Sequence, residues 1–278
     1  MKGEKRIGIL KTLMAFAIVI ALSHFVSATT MDKRIEYKKT TFQSPRLPKE
    51  MNGYLLAFIS DTHSMTAQDL HDVVRELNKI QPDLLVLGGD FPSTPGAADR
   101  TMEILSQVAA TDGIFGVEGN HDNYIVLFSA MEKYSIQPLS NSGTYIRDHF
   151  FLAGVEDLWN RNPNISVATE ESSADDFVLL ITHNPDISMI QDTTSVDLIL
   201  CGHTHGGHIT LFGVFAPALA LRNTITDYGQ RFMSGWAQSR DGVPVYVSNG
   251  AGTFIEVPRV FARPQVILMT LESSVADE

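Results

Sequence analysis

From Tyr54 onward a short apolar run, a polar terminus and an amphipathic stretch recur, and this alternation constrains the fold more than any other feature of the chain. Residues 55–59 end at Ser60-Asp61-Thr62-His63, residues 84–87 at Gly88-Gly89-Asp90, and residues 114–117 at Glu118-Gly119-Asn120-His121-Asp122. Apolar runs of this length, bounded by glycine and polar clusters, read as buried strands. Between the first two, Leu70, Val73, Val74, Leu77 and Ile80 recur at spacings of three and four and mark one face of a helix that Pro82 closes. Met102, Leu105, Val108 and Ala109 mark a second helix, and a third is expected over residues 124–134. Later the strands crowd together. Residues 145–146 and 150–155 form a hairpin-type pair, residues 177–182 end at His183-Asn184-Pro185, and residues 196–200 end at Cys201-Gly202-His203-Thr204-His205-Gly206-Gly207-His208. Residues 208–212, 243–247 and 266–271 supply the last strands. Helices that alternate with strands first, and strands that dominate later, predict an α/β domain whose strands form a two-sheet β-sandwich flanked by helices.

Five strand ends in this pattern carry metal-type residues: Asp61 with His63, Asp90, Asn120 with His121, His183, and His203 with His205. Taken singly, Asp61 and Asp90 read equally well as helix caps or turn residues, Asn120 as a left-handed turn, and a lone histidine as a partly buried, hydrogen-bonded ring. Recurrence is what these readings leave unexplained, since every apolar strand from 55 to 200 except the 145–155 pair ends in such a residue. Ligands of α/β folds bind beyond the carboxyl ends of strands, so residues far apart in sequence can converge there. Carboxylate, amide and imidazole donors together suit a divalent metal such as Mn, Fe or Zn. His71, His149 and His24 are assigned to surface or packing, and His208 to the rim of the site.

The bulk properties narrow the partners. The 278 residues carry a formal charge of −11 with a pI near 5.2, which excludes non-specific binding to nucleic acid through a basic surface. The single cysteine, Cys201, excludes an intrachain disulfide framework. Lys2, Lys5, Arg6 and Lys11 precede an apolar run over residues 13–22, and Val26-Ser27-Ala28 follows with small residues suited to a signal peptidase. Residues 1–28 therefore read as a signal peptide or a retained membrane anchor, residues 29–50, with Pro45 and Pro48, as a polar tether, and residues 51–278 as the catalytic domain. The protein is expected to be exported or membrane-anchored, with that domain extracytoplasmic.

Asp-x-His, Gly-Gly-Asp, Gly-Asn-His-Asp, a later His and Gly-His-Thr-His together resemble the five ordered motifs of the calcineurin-like metallophosphoesterase superfamily, over about residues 53–271. His183-Asn184-Pro185-Asp186, Gly-His-Thr-His-Gly-Gly and the apolar leader further resemble its bacterial membrane-associated or exported branch, which includes phosphodiesterases and UDP-diacylglucosamine hydrolases. That branch commonly has Leu and Gln where this chain has Thr62 and His208. Neither is a ligand position, so the departure bears on substrate preference. The resemblance implies a four-layer αββα fold, one metal held by Asp61, His63 and His205, a second by Asn120, His183 and His203, and Asp90 bridging them. It leaves His121 as the catalytic residue that protonates the leaving oxygen or stabilises the transition state, with Asp122 orienting it.

The expected activity is two-metal-dependent hydrolysis of a phosphodiester or pyrophosphate by metal-activated hydroxide. A phosphomonoesterase or protein phosphatase, and a non-catalytic metal-binding scaffold, are the alternatives. Residues 211–221 are strongly apolar and leave the metal motif directly. They read either as an apolar wall beside the site, favouring a lipid-linked phosphoester or a membrane-facing lip, or as a strand and loop packed into the second sheet.

Overall fold

The computed structural model describes residues 2–30, 34–92, 94–221, 225–252 and 259–274, with side chains from residue 7 onward, so the last four residues of the expected catalytic domain lie outside it. Helix α1 (Lys2–Thr29) leads into strand β1 (Glu36–Ser44). The alternation read from the sequence follows: β2 (Tyr54–Ile59), α2 (Ala67–Ile80), β3 (Leu84–Gly88), α3 (Pro95–Leu105), β4 (Ile114–Val117) and α4 (Tyr124–Lys133). The second half is strand-rich: β5 (Gln137–Pro138), β6 (Ser142–Arg147), β7 (Phe150–Gly154), the one-turn helix α5 (Ile165–Ala168), β8 (Phe177–Ile181), α6 (Ile187–Ile190), β9 (Leu198–Cys201), β10 (Gly235–Gln238), β11 (Pro244–Val247) and β12 (Gln265–Ser273).

The strands form two six-stranded sheets, ordered β1-β12-β2-β3-β4-β5 and β10-β11-β9-β8-β7-β6. Strands β2, β3 and β4 are parallel, as are β7, β8, β9 and β11, so successive polar termini emerge at one edge of each sheet. Period-two alternation sorts the side chains into layers. Leu56 and Phe58 of β2 join Phe150, Leu152, Phe177, Leu179 and Leu200 between the sheets, whereas Ala57 and Ile59 face Val73, Val74 and Leu77 of α2. On the outer face of the second sheet, Phe151, Val178, Leu180 and Ile199 are covered by Ile165 of α5, Ile187 of α6 and Phe232. The result is the expected four-layer sandwich, with one helical layer built from single turns. Helix α2 is delimited as its residues require: Thr66 and Asp69 form a reciprocal capping box, and Gln81 ends the helix at φ 57° before Pro82.

Three expectations change. The polar stretch 29–50 is not a tether throughout, because β1 within it pairs in parallel with β12 from Glu36–Gln265 to Ser44–Ser273. Its signal is that of an edge strand: Tyr37 packs toward the helical layer and Phe42 toward the sandwich interior, while Lys38 and Lys39 stay exposed. Residues 208–212 form no strand; Ile209 makes an isolated bridge to Val260, and Leu211 turns back on Phe215. Residues 211–221 pack only in part: Ala216 and Leu219 are buried, whereas Phe212 is 49% and Phe215 40% exposed. Within helix α1 the 23 residues Ile7–Thr29 are long and apolar enough to cross a membrane.

Candidate metal centre

The polar termini of β2, β3, β4, β8 and β9 meet where the two sheets open beside one another. The loops that bring them there are conformationally demanding. Asp61, His63, Asp90, His203, His205 and His208 all have positive φ, between 37° and 72°. For residues with a Cβ this region is strained by about 1–3 kcal/mol each, and such strain concentrates at functional sites. Glycine makes the close approaches possible. A Cβ on Gly202 would fall 2.3 Å from Asp61 Oδ2, and one on Gly119 would fall 2.3 Å from Asp90 Oδ1. Main-chain bonds then tie the loops together: Asp61 N–H donates to Gly89 O, His63 N–H to Asp90 O, and His121 N–H to the Asp90 carboxylate.

Six side chains converge. His63 Nε2 and His205 Nε2 are 3.1 Å apart, and His205 Nε2 is 3.5 Å from Asp61 Oδ1. On the other side His183 Nε2 lies 3.3 Å from His203 Nδ1 and 3.2 Å from Asp90 Oδ2. Asp90 Oδ2 is also 3.5 Å from His63 Nε2, so a single carboxylate oxygen faces both groups. Donors about 2.1 Å from one ion are separated by roughly 3.0–3.4 Å in octahedral or tetrahedral arrangements, so these spacings suit ligand sets. Asp61, His63 and His205, and Asp61, Asp90 and His183, are close enough to hold an ion. Asn120 Oδ1 is buried and lacks a hydrogen-bond partner, which a cation would supply. The residues present therefore fit divalent metal.

Ring orientation fits as well. His183 Nδ1 lies 2.8 Å from Gly88 O and His203 Nε2 lies 2.8 Å from Ile225 O. Against a carbonyl the ring nitrogen must donate, so it is Nε2 of His183 and Nδ1 of His203 that aim inward and that are bare whenever those rings are neutral. Burial lowers the His63 pKa to about 4 and, with the His183 charge, lowers that of His203 to about 3. Burial and the nearby Arg259 guanidinium hold His205 well below its ordinary value. Three neutral imidazoles are thus available to a metal at physiological pH. Burial raises Asp61 to about 6, and the neighbouring Asp90 charge adds to this. Asp90 is held below the usual carboxylate range: burial opposes ionisation, but the His183 charge and hydrogen bond outweigh it. In the same pair His183 is raised well above its ordinary value by Asp90, against burial. A bound cation would take the place of that His183 proton.

His121 is exposed at the mouth of the site, its ring 5.6 Å from that of His63. Asp122, expected to orient His121, accepts hydrogen bonds from three main-chain N–H groups, with Oδ2 receiving Asp90 and Gly119 and Oδ1 receiving Phe91, all at 2.8 Å. Those bonds clamp the loop after β3 to the loop after β4. Burial pushes the Asp122 carboxyl up to about 8, and the Asp90 charge adds to that, while the three donors favour the ionised form. His208 sits at the rim, 6.2 Å from the His205 ring. His71 is exposed on α2, His149 pairs with Asp176 at 3.0 Å, and His24 packs between Phe212 and Phe261.

Sequence reasoning missed Arg259, which is 2% exposed. Its Nη2 lies 3.1 Å from His205 Nδ1, and its Nη1 donates to the carbonyls of Asn249 and Ala262. No local motif flags a lone arginine 54 positions from its histidine. Trp159 was also missed; it packs edge-on against the His203 ring at 4.6 Å and is half exposed. With Leu158, Asp186, Ile225 and Thr226 it lines a cavity of about 350 Å³ beside the site.

Comparison with known proteins accords with this geometry. The chain is 28% identical over 258 residues to an uncharacterized metallophosphoesterase of Bacillus subtilis, covering 86% of each chain. It is 24% identical to an uncharacterized metallophosphoesterase of Campylobacter jejuni, covering 98% of this chain and 73% of that one. It is 28% identical to a transmembrane protein with metallophosphoesterase domain from Bos taurus, covering 84% of this chain but only 57% of the bovine protein. The sequence model for calcineurin-like phosphoesterases matches residues 54–207, more than half of the chain and the span from β2 to the last candidate ligands. On that match, and on the site it encloses, the protein belongs to the calcineurin-like phosphoesterase family.

Proposed function

We propose that this metallophosphoesterase hydrolyses a phosphodiester or pyrophosphate at two divalent ions, with Mn, Fe or Zn as the candidates. One ion is assigned to Asp61, His63 and His205, the other to Asn120, His183 and His203, with Asp90 shared. The observation that carries this reading is the position of Asp90 Oδ2, within 3.5 Å of His63 Nε2 and 3.2 Å of His183 Nε2. When bound, such ions polarise water for in-line attack and offset the charge of the phosphate. The chain's own contribution is positional. Buried rings with fixed tautomers, strained loops and the Asp122 clamp hold the donors in place, and His121 at the mouth supplies a proton donor to the leaving oxygen.

A diester has two arms, and two unlike surfaces adjoin the site: the Trp159 cavity beside His203, and the apolar residues that follow His208. The second surface favours a lipid-linked substrate of the kind cleaved by UDP-diacylglucosamine hydrolases. With α1 retained as an anchor, the catalytic domain would stand outside the cytoplasm at the membrane surface. The test is hydrolysis of bis-aryl against mono-aryl phosphates by the metal-reconstituted full chain. Preference for the bis-aryl ester is expected, and Asp90→Asn should lose more than about 100-fold of it, since removing even a supporting partner of a ligand costs 10–100-fold. A clear preference for mono-aryl phosphate would replace the proposal with a phosphomonoesterase.

A further inference from the structure

Most large apolar side chains of the segment after His208 are displayed, while Ala216 and Leu219 anchor it in the fold. Ile209, Leu211, Phe212, Val214, Phe215 and Leu221 are 40–75% exposed, and no charged residue interrupts residues 209–221. A contiguous apolar patch of this kind marks an interaction surface. Its backbone is prepared for an apolar environment: Leu211 N–H donates to Phe215 O, Gly213 N–H to Thr210 Oγ1, and Thr210 N–H to Val260 O. Phe212 at φ 55° and Gly213 at φ 75° turn the tip outward.

What covers this patch is indicated by its neighbour. The end of α1 packs on it, with the His24 ring 4.8 Å from Phe212 and 5.0 Å from Phe261, and with Phe261 N–H donating to Ser27 Oγ. The rest of α1 is bare, Ile9 at 61% and Phe16 at 64% exposed. We infer that residues 209–221 form a second membrane-contacting element, dipping into the interfacial zone of the bilayer that α1 crosses and holding the mouth of the metal centre at the lipid surface. This rests on reading α1 as a retained anchor. The level of the contact fixes the depth. With the helix end at Thr29 taken as the bilayer surface, His24 lies five residues deeper, which at 1.5 Å per residue places Phe212 roughly 7 Å inside. That is within the depth, about 5–10 Å, at which amphipathic elements rest in the headgroup and acyl boundary. Coupling to the site is direct, because Ile209 follows His208, whose N–H donates to His205 O.

The test uses the full chain reconstituted into phosphatidylcholine vesicles with acyl chains brominated near the headgroup. An environment-sensitive fluorophore is attached at Val214→Cys or, as a control, at Asp175→Cys; native Cys201 is fully buried. Asp175 precedes β8, at the opposite end of that strand from His183. The Val214 probe is expected to emit at shorter wavelength and to be quenched by bromine several-fold more than the Asp175 probe. Equal quenching at the two positions overturns the inference. A Val214 probe shielded from a water-soluble quencher yet untouched by bromine also overturns it, in favour of a protein partner. Retention of the chain on vesicles after an alkaline wash reports the anchor separately, and a chain that washes off removes both readings.

Discussion

Asp122 shows what a single carboxylate does in this site. Its two oxygens receive N–H groups from Asp90, Phe91 and Gly119, so it ties a shared candidate ligand to the loop that carries Asn120 and His121. An amide in its place keeps the shape but presents N–H₂ to at least one main-chain N–H, leaving a buried donor without an acceptor. Asp122→Asn is expected to lower unfolding free energy by about 2 kcal/mol, the penalty for one such group. Metal affinity should fall 10–100-fold with it, as for supporting partners of ligands generally. Denaturant melts and metal titration of the variant measure the two effects, and an unchanged metal affinity would confine Asp122 to loop stability. The candidate ligands were legible at this scale because each ends an apolar run. Arg259 was not, because its partners are mostly main-chain carbonyls and a ring far away in sequence, which no local residue type reveals.

Among the elements, β1 carries the clearest departure from the sequence reading. Its polar residues obscure an edge strand whose only signals are Tyr37 and Phe42 on opposite faces. Because β1 covers β12 along nine residue pairs, a chain beginning at residue 34 is expected to stay soluble, while one beginning at residue 45 exposes the β12 edge and aggregates. Size-exclusion profiles of the two truncations distinguish this from a tether, which predicts no difference. The loop between α5 and β8 makes a second prediction. Asp176 accepts from Tyr145 Oη and Ser173 N at 2.7 Å and pairs with His149. Although its burial opposes ionisation, these partners bring its pKa from 3.8 to about 2. A lowered carboxylate pKa stabilises the fold above the unfolded value and is lost as pH falls through the folded one. Asp176→Asn should therefore be about 1 kcal/mol less stable at neutral pH, with the gap closing between about pH 4 and pH 2. A gap constant across that range would show that ionisation of Asp176 is not what stabilises the loop.

For the whole molecule, the parallel strands of two sheets deliver their polar ends to one opening, and that arrangement makes dispersed motifs into a centre. The β-strand and helix alternation foretold the sandwich because buried strands need unbroken apolar runs. The exposure of residues 209–221 was only one of two readings the sequence left open, because apolar composition alone reads the same for a buried loop and for one that meets lipid. Two ions at the Asp90-centred cluster are expected to perform phosphoester hydrolysis. The most direct test is to strip the full chain with chelator and titrate in Mn, following bound metal per chain and bis-aryl phosphate hydrolysis together. Activity that is absent from the stripped chain and rises until two ions are bound is the expected result. Two ions bound without hydrolysis of any phosphoester, or hydrolysis undiminished by stripping, would contradict it.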